Sequence, residues 1–181
     1  MNYSQKFLDA FDYVMKYEGG LNEDPDDRGG ITNFGISIKF LKGTGDKYCK
    51  DGKYLQYLHE LTIDQAKEIY HAEFWLEVYE LVEIDLFREY IFDMVINHGR
   101  DIAHKLLQRG LWAAGDRRIK DDGIFGKETL QSLNSSYISS IAVPAYFSLR
   151  AIRTQYYHCI VSHHPEQEKF LEGWLRRAYG I

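Results

Sequence analysis

Glu18 is followed by two glycines, and Asp27 and Thr32 stand nine and fourteen residues further along the chain. Breaking a glycosidic bond takes one carboxylic acid that protonates the leaving oxygen. It also takes a second group on the opposite sugar face that activates water or attacks directly. Glu18 suits the acid role, since it comes at the end of an apolar helix, and Gly19 and Gly20 leave room beside it. A carboxyl partly withdrawn from water keeps its proton to higher pH, because burial disfavours the charged form. Asp27 suits the second role, orienting or activating a water, with Thr32 hydrogen-bonding that water. Asp24 and Asp26 compete with Asp27 for it, and spacing does not choose among the three.

These residues need elements to hold them. Phe7, Leu8, Phe11, Val14 and Met15 recur at helical spacing, so an amphipathic helix is expected from Ser4, its cap, to about Glu18. Gly19 and Gly20 would end it in the left-handed conformation. Residues 21–38 are rich in turn formers and then carry Ile31, Phe34, Ile36 and Ile38, which predicts turns and short strands, with an extended piece over 31–38, in a segment that folds back across Glu18. Residues 43–53 read as a polar loop. Thr62-Ile63-Asp64-Gln65 fits a capping box and opens a helix to about residue 75. Helices are also predicted over about 85–98, stopped by Gly99, and over 101–114, 127–133 and 167–179. One long helix is expected over 137–161, kinked or restarted at Pro144.

Bulk properties narrow the function. The 181 residues, 45% hydrophobic and 27% charged, suit one globular domain with a sizeable core. A net charge of −5 argues against a general nucleic-acid binder, which needs basic surface to displace counterions. Residues 1–90 hold 10 Lys and Arg against 18 Asp and Glu, and residues 91–181 hold 12 against 9, so the second half could face an anionic polymer such as bacterial cell wall. No integral membrane segment is read. Lys6, Asp9, Asp12 and Lys16 break the stretch a signal peptide would need, so delivery from the cytoplasm to the periplasm or beyond is expected to use a holin-type or other non-classical route. Cys49 and Cys159 form no CxxC pair and read as free thiols. His158, Cys159, His163 and His164 match no standard zinc spacing, so neither a metal nor another cofactor is expected.

The stretch Glu18-Gly19-Gly20-Leu21, with Asp27-Arg28-Gly29-Gly30-Ile31-Thr32-Asn33-Phe34-Gly35-Ile36, resembles the opening signature of glycoside hydrolase family 108, bacterial and phage muramidases. The similarity continues through Phe92 to Gly99, Leu106 to Leu111, Asp122 to Leu130 and Phe170 to Arg177. The resemblance implies a mainly α, lysozyme-like α+β fold: one domain over 1–181, with the acid in 1–90 and a peptidoglycan-binding type of region in 91–181. It implies hydrolysis of the β-1,4 bond between N-acetylmuramic acid and N-acetylglucosamine, Glu18 as the essential acid, peptidoglycan as partner, and an endolysin or secretion-associated role. The Asp27-to-Thr32 gap is one residue shorter than in the similar Glu–Asp–Thr arrangement of phage-type lysozymes. Asn33 and Gly35, in the same signature, are candidate substrate contacts. Trp75 and Tyr79 could stack on sugars or pack in the core, and Asn97 and His98 could line a pocket or cap a helix. Two rivals stand beside this reading: a non-catalytic wall-binding or scaffold protein with the same fold, and a lytic transglycosylase or amidase.

Overall fold

The computed structural model describes residues 2–23 and 30–180 and forms two compact units, Met1–Trp75 and Leu76–Ile181. It is mainly α with one small sheet, as the residue pattern predicts. Among the described residues no helix is long and apolar enough to cross a membrane.

The first unit opens with α1 (Gln5–Met15), capped by the Ser4 hydroxyl, which accepts from the Phe7 amide at 3.0 Å. Phe7, Ala10, Phe11 and Val14 form its buried face. Strands β1 (Thr32–Asn33) and β2 (Ile36–Ser37) pair antiparallel, with Thr32 opposite Ser37 and Asn33 opposite Ile36. The short extended piece expected over 31–38 is therefore a hairpin. Phe34 and Gly35 take φ of 48° and 73°, two successive left-handed residues that reverse the chain in the I′ manner. Ser37 then caps α2 (Ile38–Gly43), and α3 (Tyr54–His59) follows. In α4 (Ile63–Glu73) the expected capping box is present in both directions between Thr62 and Gln65.

The second unit contains α5 (Asp85–His98), α6 (Arg100–Ala113), α7 (Lys127–Leu133), α8 (Ser136–Ser140), α9 (Ala142–His163) and α10 (Glu168–Tyr179). Gly99 stops α5 at φ 78°, as expected. The predicted long helix is two helices, broken at Ile141. Pro144 falls in the first turn of α9, where its missing N–H costs nothing.

A buried charge cluster ties α5, α9 and α10 together. Asp93 and Arg153 are fully buried and lie 2.7 Å apart, and Arg177 reaches the other Asp93 oxygen at 2.7 Å. Burial opposes the Arg153 charge, but Asp93, then Tyr157 and Tyr90, outweigh it and hold the guanidinium protonated. A buried pair of this kind tolerates loss of one partner poorly, because the remaining charge has no solvent.

Candidate active site

Glu18 lies three residues beyond α1, not in its last turn. Its amide still donates to the Val14 carbonyl at 3.2 Å, so the chain leaves the helix carrying the residue on a semi-helical tether. Gly19 and Gly20 do not adopt the left-handed conformation expected of them. Their contribution is space: among the described residues, a Cβ added at either meets nothing within 4 Å. Glu18 itself is half-buried.

The hairpin tip meets this carboxyl. A Cβ built on Gly35 would stand 2.6 Å from Glu18 Oε2 and closer still to the Tyr70 hydroxyl. The absence of a side chain at Gly35 is thus what lets the Glu18 carboxyl and Tyr70 approach the turn together. Left-handed φ is cheap for Gly35 but costly for Phe34, whose bulky side chain disfavours it. Tyr70 offsets that cost by donating its hydroxyl to the Phe34 carbonyl at 3.0 Å. The Tyr70 ring is fully buried and meets Phe11 of α1 edge-on, with centroids 5.4 Å apart. One tyrosine of α4 therefore joins the helix that precedes Glu18 to the turn that abuts it.

Two further contacts hold the hairpin. The Asn33 side chain is buried and donates to the Leu58 carbonyl of α3 at 2.9 Å, so its amide N–H serves the fold. Asn22 and Thr32 exchange backbone hydrogen bonds of 2.7 and 2.9 Å. This bridge returns the chain alongside β1 only four residues after Glu18 and brings Thr32 into the same unit, half-buried. Asp24, Asp26 and Asp27 lie outside the described residues.

The other candidates stand elsewhere. Trp75 is almost wholly buried and meets Phe7 edge-on at 5.3 Å, a packing role in the first unit. Tyr79 is 1% exposed, inside the second unit, with its hydroxyl 2.7 Å from His104 Nε2, so its ring has no open face for a sugar. Burial pushes the Tyr79 phenol above its usual range. Asn97 faces Arg177, from which its amide oxygen accepts at 2.9 and 3.1 Å. His98 packs between the rings of Tyr156 and Tyr157, each 5.2 Å away. Burial, then Arg153 and Arg177, hold its imidazole well below the ordinary pKa of 6.5 and hence neutral. Among the described residues no group of three His, Cys, Asp or Glu could hold a metal ion. Tyr70 is the contributor that residue types alone do not reveal: its partner Phe34 is 36 positions away, and in sequence it reads as one more apolar position of α4.

Residues 11–99 match the sequence model of the family described as glycosyl hydrolase 108, and residues 102–179 match that described as a predicted peptidoglycan domain. A search of curated proteins finds no match. The chain is similar in structure to SagA of Brucella abortus, with a TM-score of 0.64 and 23% identity over 96% of this chain and 94% of that one.

Proposed function

Since the chain belongs to the glycosyl hydrolase 108 family over residues 11–99, with a peptidoglycan domain following at 102–179, and is thereby a glycoside hydrolase directed at peptidoglycan, we propose that it is an N-acetylmuramidase with Glu18 as general acid. The bond cleaved is the β-1,4 link between N-acetylmuramic acid and N-acetylglucosamine. The observation that carries this reading is the seating of the Glu18 carboxyl. It is half-buried against Gly35 at the tip of a strained turn, and among the described residues nothing crowds Gly19 and Gly20 beside it. A general acid must reach the leaving oxygen with little freedom to wander, and a carboxyl backed by a clamped turn meets that need.

In this mechanism a sugar chain lies across the glycine side of Glu18, and the carboxyl hands its proton to the bridging oxygen as the bond to the anomeric carbon lengthens. Asp27 orients the attacking water and Thr32 hydrogen-bonds it. The water adds from the face opposite the leaving group, and its proton passes to the Asp27 carboxylate. This direct course inverts the anomeric centre and requires about 6.5–9.5 Å between the two carboxyl groups, against about 5–5.5 Å for a retaining pair.

Mass spectrometry of fragments released from purified sacculi tests the reaction. Reducing muramic ends are expected, whereas anhydro ends would mean a lytic transglycosylase and free stem peptides an amidase. Glu18→Gln should abolish release, and a variant that clears sacculi as fast as the unaltered chain removes the acid assignment. Proton NMR of the first-formed anomer tests the course, and a β-anomer there removes the inverting mechanism.

A further inference from the structure

The second unit contains a pocket of about 460 Å³ where α6, the 119–121 segment and α9 come together. Trp112, Ala113, Ile119 and Ile152 give it an apolar wall, and Arg109 and Lys120 bring positive charge to it. Trp112 is 49% exposed, an indole left at the surface rather than in the core. The Arg117 guanidinium sits 3.7 Å from its ring centroid, which braces the ring and adds another cation beside the pocket.

The local charges do not cancel. Arg109 pairs with Asp121 at 2.8 Å and holds that carboxyl below its usual range. Asp122 senses Lys120, but its carboxylate accepts from Gln108 at 2.8 Å and from the Ile124 amide at 2.9 Å. Among the side chains that line the pocket, Arg109 and Lys120 stand against Asp121 alone, so a positive surplus remains at an apolar pocket of ligand size. A ligand that fits is therefore anionic and carries small apolar groups.

Resting on the reading of the chain as peptidoglycan-directed, we infer that this pocket binds the stem peptide of peptidoglycan. A peptide carboxylate meets Lys120, and the alanyl methyl groups lie against Trp112 and Ile152. The glycan strand of intact wall suits the pocket less well, because its sugars are neutral and the lactyl acid of each muramic residue is consumed in the amide to the stem. Bound here, the stem would anchor the second unit to the wall independently of the Glu18 site.

The test titrates the full-length chain with a soluble disaccharide–tetrapeptide, which has no internal bond of the kind cleaved, and follows the Trp112 indole N–H by NMR. A saturable shift of that resonance is expected. Trp112→Ala and Lys120→Gln, both at exposed positions, should weaken binding at least tenfold, while Lys169→Gln should bind as the unaltered chain does. Methyl-esterified peptide should bind at least tenfold more weakly than the free acid, and an N-acetylglucosamine tetramer should leave the Trp112 signal in place. An unshifted Trp112 signal, variants that bind normally, or equal affinity for the ester each overturn the site. Sacculus digestion separates the two readings. Reducing muramic ends released without stem-peptide binding refute this pocket alone, and stem-peptide binding without such ends refutes the muramidase alone.

Discussion

Replacing Gly35 with alanine perturbs the Glu18 site by a single methyl group, and its effect can be worked out from the geometry. The added Cβ would stand 2.6 Å from Glu18 Oε2, and ordinary contact begins at 3.4 Å, so the carboxyl must withdraw by about 0.8 Å if it alone moves. The Tyr70 hydroxyl lies closer still to the added Cβ, and its buried ring against Phe11 and its bond to Phe34 give it little room to yield, so the turn must shift as well and carry the carboxyl's seat with it. Misplacing a reacting group by about 1 Å costs on the order of a hundredfold in rate. The backbone adds a separate penalty. At φ 73° an alanine costs about 1–2 kcal/mol, which lowers the melting temperature by roughly 2–8 °C in a chain of this size. Gly52→Ala provides the control: it carries the same strain at φ 70°, but its Cβ meets nothing within 4 Å. Initial rates of sacculus clearance at 25 °C, measured beside thermal melts, should give Gly52→Ala a lowered melting temperature with unchanged rate. Gly35→Ala should show a comparable or larger thermal loss and a rate reduced about a hundredfold. A folded Gly35→Ala protein within twofold of the unaltered rate would refute the claim that this glycine seats the acid.

Tyr70→Phe removes the hydrogen bond to the strained Phe34 carbonyl and should cost about 1 kcal/mol in urea unfolding. Because that hydroxyl holds the turn that abuts Glu18, its loss should also lower kcat. Asp93→Asn leaves Arg153 and Arg177 without their carboxylate and should cost about 3–5 kcal/mol, read as a fall in melting temperature of about 6–20 °C. His98 should make stability depend on pH. Its folded pKa lies well below 6.5, so below about pH 6.5 the unfolded chain takes up a proton that the folded chain refuses, and stability falls as the pH drops. His98→Phe keeps a ring between Tyr156 and Tyr157 and should shrink the loss between pH 7 and pH 5. A residue of that loss should persist, since burial also lowers the His104 pKa. Urea midpoints at the two pH values check this, and an unchanged difference would place the sensitivity elsewhere.

The elements legible in the chain are those whose signals are local. The Thr62–Gln65 box needs only four residues, and both of its hydrogen bonds are present. Gly99 ends α5 because glycine alone takes φ 78° there without strain. Helices α2 and α3 are not legible, because six residues are too few to establish a helical period against a polar background. The stop after α1 misleads for a related reason. Gly19 and Gly20 look like a left-handed cap, yet the helix ends at Met15 and the glycines provide clearance instead. Trp75 and Tyr79 show the limit for aromatics, since a ring's type does not tell whether it faces sugar or core. Burial decides that for both.

Taken alone, the sequence determined that a glutamate followed by two glycines stands near the end of an amphipathic helix, and that a turn-rich segment comes next. Helical periodicity and glycine stereochemistry act over a few residues, so they can be read directly. Only the tertiary structure decided what seats that glutamate. The Gly35 contact, the Tyr70 bond to Phe34 and the Asn33 bond to Leu58 join residues 17, 36 and 25 positions apart. Such pairings arise from how whole helices and strands pack, and no local spacing encodes them.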